Sequence, residues 1–98
     1  MSYTPTDFVF SLYGWSETKP TLDAVRMVTG KRGFVLARST FFGSGQWGAH
    51  WLGDNAATWN QMKQSLVGIV EFNWFGIPMI GADICGFDYE PTEEMCIR

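Results

Sequence analysis

Two short apolar runs without polar alternation, Gly33-Phe34-Val35-Leu36-Ala37 and Pro78-Met79-Ile80-Gly81-Ala82, do most to restrict the fold open to this chain. A strand with one face in water alternates polar and apolar residues. A strand covered on both faces does not, and such strands are typical of parallel sheets. Helical patterns surround the two runs. Within Asp7 to Trp15, the residues Phe8, Leu12 and Trp15 are spaced by four and three, and Thr6 is placed to cap them. Pro20 marks a break where a helix restarts, and Leu22, Val25 and Val28 continue a face that stops at Gly30. Trp59, Met62, Leu66, Ile69 and Val70, with Phe72 beside them, form a core-like stripe ending near Gly76, with Asp54 or Asn55 as its cap. Thr92, with Glu94 nearby, opens a last helix.

The order is helix, strand, long loop, helix, strand, loop and helix start, which signals parallel β/α units. The expected fold class is therefore α/β, with about two β/α units and long βα loops. A complete eight-fold barrel takes about 250 residues. A chain of 98 residues, taken as one domain over 1–98, holds only part of such a barrel or of an open sheet. Sheet edges and apolar faces are expected to be uncovered.

Composition removes several function classes. With 5 Trp, 8 Phe and 3 Tyr the chain can build a core, which argues against disorder. Its net charge of -3 is thinly spread, so no nucleic-acid partner is expected. Met1 to Thr6 lack the basic and apolar segments of a secretory leader, and localisation is left open. The longest apolar candidate, Ser65 to Ala82, is interrupted by Glu71, Asn73, Pro78 and three Gly, so no membrane span is expected. Cys85 and Cys96 fit equally well a local disulfide, worth about 3 kcal/mol in an oxidising compartment, or two core thiols. A zinc site is not expected, because the only His is far upstream and CxxC is absent. Nothing implies a cofactor.

Both apolar runs lead into loops at their C-terminal ends, where barrels and open α/β sheets carry their chemistry. The first loop runs from Arg38 to Asp54 and holds one Arg, one His, two Trp and one Asp among glycines, with almost nothing else charged. Aromatic plates beside a lone acid and a lone base suggest a sugar site. If Trp47 and Trp51 wall the Asp54 carboxyl, loss of water there favours its protonated form, which can donate a proton to a leaving oxygen. Taken alone, the same residue is more commonly a cap for the following helix, and the two roles do not exclude each other. Arg38 is suited to bind sugar hydroxyls or a carboxylate, or to pair with Asp83 at the next strand end. Trp51 and Phe87 are suited to stack on a pyranose ring or to pack in a core. His50 is read as a structural, hydrogen-bonded His. Asp83 fits a partner of Arg38 or a second carboxylate.

Three segments together carry a resemblance to a known family. Arg38-Ser39-Thr40-Phe41, His50-Trp51-Leu52-Gly53-Asp54-Asn55 and Gly81-Ala82-Asp83-Ile84-Cys85-Gly86-Phe87 resemble glycoside hydrolase family 31, of the maltase-glucoamylase and sucrase-isomaltase type. Ser11-Leu12-Tyr13-Gly14-Trp15-Ser16 is similar to the helix preceding this part of the family's barrel, so the likeness runs from about Asp7 to Arg98. The resemblance implies a partial (β/α)8 TIM barrel that hydrolyses α-glucosidic bonds with retention. It implies Asp54 as general acid/base, Arg38, Trp51 and Phe87 around the terminal glucose, and Asp83 in the strand below. It also implies a Cys85–Cys96 disulfide, an α-linked glucose oligosaccharide as substrate, and the rest of the barrel as a necessary partner. The parent family is secreted, luminal or membrane-anchored.

The chain departs from the family at Gly48-Ala49, where the family reads Ala-Gly, so an added methyl beside His50 is expected to disturb the loop. A retaining mechanism also needs a second carboxylate about 5–5.5 Å from the first. The family's Trp-x-Asp-Met-Asn-Glu stretch, which supplies it, is not among these residues, nor is the pocket His beyond the Cys-x-Arg end at Arg98. The leading expectation is thus a slice of an α-glucosidase that is inactive alone. A noncatalytic carbohydrate-binding or interaction module comes second, and a disulfide-stapled domain without a ligand last.

Overall fold

The computed structural model describes the backbone of residues 5–98 and the side chains from Leu12 onward. Three short strands, β1 (Leu36–Ala37), β2 (Ala49–Trp51) and β3 (Ile80–Gly81), form a parallel sheet in the order β1-β2-β3. Helix α1 (Pro5–Thr29) precedes the sheet, α2 (Trp59–Trp74) connects β2 to β3, and α3 (Glu93–Ile97) follows. Leu36 pairs with Ala49, His50 with both Ala37 and Ile80, and Trp51 with Gly81.

The expected parallel β/α architecture is present, with these corrections. The sheet has a third strand, β2, in what reads as loop: its three residues are too few to show a period, and Gly48 and Gly53 flank them. The apolar runs at 33–37 and 78–82 are paired only over two residues each. Helix α1 does not restart at Pro20 but runs through it. Thr18 and Leu22, both 3% exposed, pack on either side of the proline, and this tertiary seating outweighs the one backbone bond that proline deletes. Lastly, Thr58 caps α2 by accepting from the Gln61 N–H at 3.3 Å, so neither Asp54 nor Asn55 has that task. Thr6 lies inside α1, after Pro5, so it is not the helix cap expected, and the side chain of the stripe position Phe8 lies outside the described residues.

The stops at Gly30 and near Gly76 and the start at Thr92 are found as expected. Thr92 Oγ1 accepts from the Met95 N–H at 3.3 Å. The Gly48-Ala49 exchange causes no disturbance. Ala49 is 4% exposed and paired regularly in β2, whereas a methyl at position 48 would press on Thr18 and the Val35 carbonyl.

The packing is that of an open slab. Leu22, Ala49, Ile77 and Met95 are the buried apolar residues among those described. The α2 stripe is half-covered, with Trp59, Leu66 and Val70 exposed. The chain exposes 7539 Å², against about 5,700 Å² for a compact monomer of this mass. Its radius of gyration is 15.6 Å, where about 13 Å suits a compact chain of this length. No helix among the described residues is long and apolar enough to cross a membrane.

Candidate active site

The parallel register brings the three strand ends to one edge. Arg38 follows β1, Leu52-Gly53-Asp54 follow β2, and Ala82-Asp83 follow β3. Successive strand residues point to opposite faces. His50 stacks on Phe72 of α2 (centroids 4.0 Å apart, planes at 17°), and the Leu52 methyls lie against Gly68 of the same helix. Trp51, between them, therefore faces away from α2. The Arg38 guanidinium lies on that face as well, 5.7 Å from the Trp51 ring centroid, a cation–π geometry. In a closed barrel the face turned away from the helices is the interior.

Arg38 also runs along Gly53, whose φ of 87° is left-handed. A Cβ at Gly53 would fall on the guanidinium, so only glycine lets the cation lie against the loop that carries Asp54. Asp54 itself is exposed. The desolvating wall expected of Trp47 is missing, because Trp47 turns toward α1 and packs on Trp15 with ring centroids 6.1 Å apart. Ion pairs among the described residues are Lys19–Asp23 and Arg98–Glu94, so Arg38 and Asp83 do not pair.

Asp83 is held by its backbone instead. Its N–H donates to Asn55 Oδ1 at 3.0 Å, and its carbonyl accepts from the Gly86 N–H at 3.1 Å and from Asn55 Nδ2 at 3.5 Å. The Asn55 carbonyl accepts from the Phe87 N–H at 2.6 Å, which sets Phe87 beside the neighbour of Asp54. Phe87 is 64% exposed, so it is not core. Cys85 and Cys96 form a disulfide across a separation of 11 residues. A cleft of about 390 Å³ lies between α2 and this stapled loop, and Arg38, Trp51, Asp54 and Phe87 are not part of its lining. They stand on an open surface.

His50 is 7% exposed and its Nδ1 is 3.1 Å from Thr40 Oγ1, which makes it structural as expected. Burial lowers its pKa below 6.5, and the Arg38 charge lowers it further. Folded and unfolded chains both hold a neutral ring well above that ordinary value. As pH falls below about 6.5 the unfolded chain takes up the proton first, and stability is lost down to the lower folded pKa. A thermal midpoint that drops from pH 7.5 to pH 5 is expected, with a shallower drop for His50→Gln; equal drops contradict the assignment.

Sequence reasoning missed Asn55 and Thr40 as the residues that tie the loops together. Asn is common in loops, and only contacts across 28 and 10 residues reveal these roles.

Residues 2–98 match the model of the glycosyl hydrolases family 31 TIM-barrel domain. A human protein, probable maltase-glucoamylase 2, is 56% identical over 90 residues, which are 92% of this chain and 4% of that protein. Alpha-xylosidase 1 of Arabidopsis thaliana is 53% identical over 88 residues, 90% of this chain and 10% of its own length. Among solved structures, the ER glucosidase II heterodimeric complex of catalytic subunit and regulatory-subunit binding domain superposes with a TM-score of 0.80 at 35% identity. That superposition covers 88% of this chain and 10% of the solved one. The chain thus spans a tenth or less of these relatives. It belongs to glycosyl hydrolase family 31, as a portion of the family's TIM-barrel domain.

Proposed function

We propose that these residues supply the acid/base half of the active site of a retaining α-glucosidase acting on terminal α-linked glucose of maltose-type oligosaccharides. Asp54 protonates the departing glycosidic oxygen and then takes a proton from the incoming water. Arg38 donates hydrogen bonds to sugar hydroxyls. Trp51 and Phe87 offer ring faces to the pyranose, and Asp83 lies beneath it at the neighbouring strand end. The observation that carries this reading is the shared edge: Arg38 lies over Trp51 and against the Gly53 turn that presents Asp54. Freedom of Asp54 from helix capping supports it further. The matches to maltase-type relatives favour glucose as the sugar. The comparable identity of an α-xylosidase leaves the choice between glucose and xylose to residues elsewhere in the barrel.

The nucleophile must come from another part of the barrel, so the 98 residues alone are expected to release no glucose from maltose. Glucose release by the purified chain that disappears in Asp54→Ala would contradict this. The exposed Phe87 and half-buried Trp51 also suit a noncatalytic carbohydrate-binding surface. Calorimetric titration with maltose discriminates: heat that is lost in a folded Trp51→Ala supports binding by this surface, and no heat at millimolar sugar removes it.

A further inference from the structure

We propose that Asn55 is a positioning residue that locks the acid/base loop to the loop after β3. The inference rests on the reading of Asp54 as general acid/base. Asn55 is the residue after Asp54, and it spends both its side chain and its carbonyl on the segment 83–88. Its Oδ1 accepts from the Asp83 N–H at 3.0 Å, and its carbonyl accepts from the N–H groups of Phe87 at 2.6 Å and Asp88 at 3.3 Å. Two residues further on, the Ala57 N–H donates to the Asp88 carbonyl at 2.7 Å, and Ala56 bridges Asp88 in parallel fashion. The two loops are thus laced together as an extension of the β2–β3 pairing, beyond the point where the strands end. Asp54 is exposed, and no ion pair of its own holds it among the described residues. Its position relative to Phe87 and Asp83 therefore passes through Asn55. Of these contacts, only those of the Asn55 side chain are removed by substitution.

A general acid must meet the leaving oxygen within hydrogen-bond reach, and a misplacement of about 1 Å can cost about 100-fold in rate. Protonation matters for a sugar leaving group, which departs poorly as an alkoxide. It matters little for a nitrophenolate, which departs without a proton. Loss of positioning therefore falls unequally on the two substrates, whereas loss of folded protein falls equally on both.

The test places residues 5–98 in a complete α-glucosidase barrel of the family and measures kcat/KM for maltose and for 4-nitrophenyl α-glucoside. Asn55→Ala is expected to lower the value for maltose about 100-fold and that for the aryl glucoside less than about tenfold. The ratio of the two is independent of the fraction folded. Asn55→Asp keeps the acceptor for the Asp83 N–H and is expected to recover most of the ratio, which also covers an alanine variant that does not fold. Equal losses on both substrates, or an Asn55→Asp ratio as low as that of Asn55→Ala, overturn the positioning role. Asp54→Asn in the same barrel separates the two readings: if it too leaves the ratio unchanged, it is the acid/base assignment that falls.

Discussion

Asp54→Asn, introduced into a complete family barrel carrying this segment, is expected to lower kcat/KM for maltose about 1,000-fold while the protein stays folded. The amide keeps the size of the carboxyl and cannot give or take the proton. General acid/base catalysis accounts for about 100- to 10,000-fold, and both half-reactions use the same residue. Little stability should be lost, because Asp54 is exposed, leaves the capping of α2 to Thr58 and has no ion-pair partner among the described residues. Steady-state kinetics beside a thermal melt separate the two. A fall of less than tenfold would remove Asp54 from the chemistry.

Gly86→Ala should have the largest structural effect near the site. Gly86 has φ of 100°, a conformation that a residue with a Cβ rarely adopts. An added Cβ would also lie 2.6 Å from Ala57 Cα and 2.7 Å from Ala57 N, backbone atoms that cannot swing aside. Strain and overpacking each cost about 1–3 kcal/mol, so a loss of about 3 kcal/mol is expected. For a chain of this length that is roughly 12–24 °C in thermal midpoint. The core is thin, with four buried apolar residues among those described, so little reserve stands against such a loss. A circular dichroism melt checks this, and a midpoint within about 4 °C of the parent contradicts it.

The parallel β/α order was legible because burial on both faces writes a continuous apolar run, as at 33–37 and 78–82. β2 was not legible, because three residues flanked by glycines carry no period, and its pairing depends on two neighbours distant in sequence. Pro20 reads as a stop only while the helix is taken alone; Thr18 and Leu22 hold it against the sheet. At the site, Arg38, Trp51, Asp54, Asp83 and Phe87 were all named from the sequence; Arg38 lies over Trp51 and against Gly53, and the Asp83 and Phe87 backbones are tied to Asn55, the residue after Asp54. Their partners were misjudged: Trp47 packs on Trp15, and Arg38 lies over Trp51 rather than pairing with Asp83. Side-chain direction decides such contacts, and a three-residue strand does not announce its direction.

The central claim, that Asp54 handles protons and another carboxylate attacks the sugar, is tested most directly by trapping with azide. In the complete barrel bearing Asp54→Asn, an aryl α-glucoside still loses its aryl group and forms the covalent glucosyl intermediate. Water then lacks a base, whereas azide needs none. The account predicts faster turnover with added azide and α-glucosyl azide as the product, by net retention through two inversions. β-Glucosyl azide, the product of a single inversion, would instead make Asp54 the nucleophile, and unchanged turnover with glucose alone would leave it no part in the reaction.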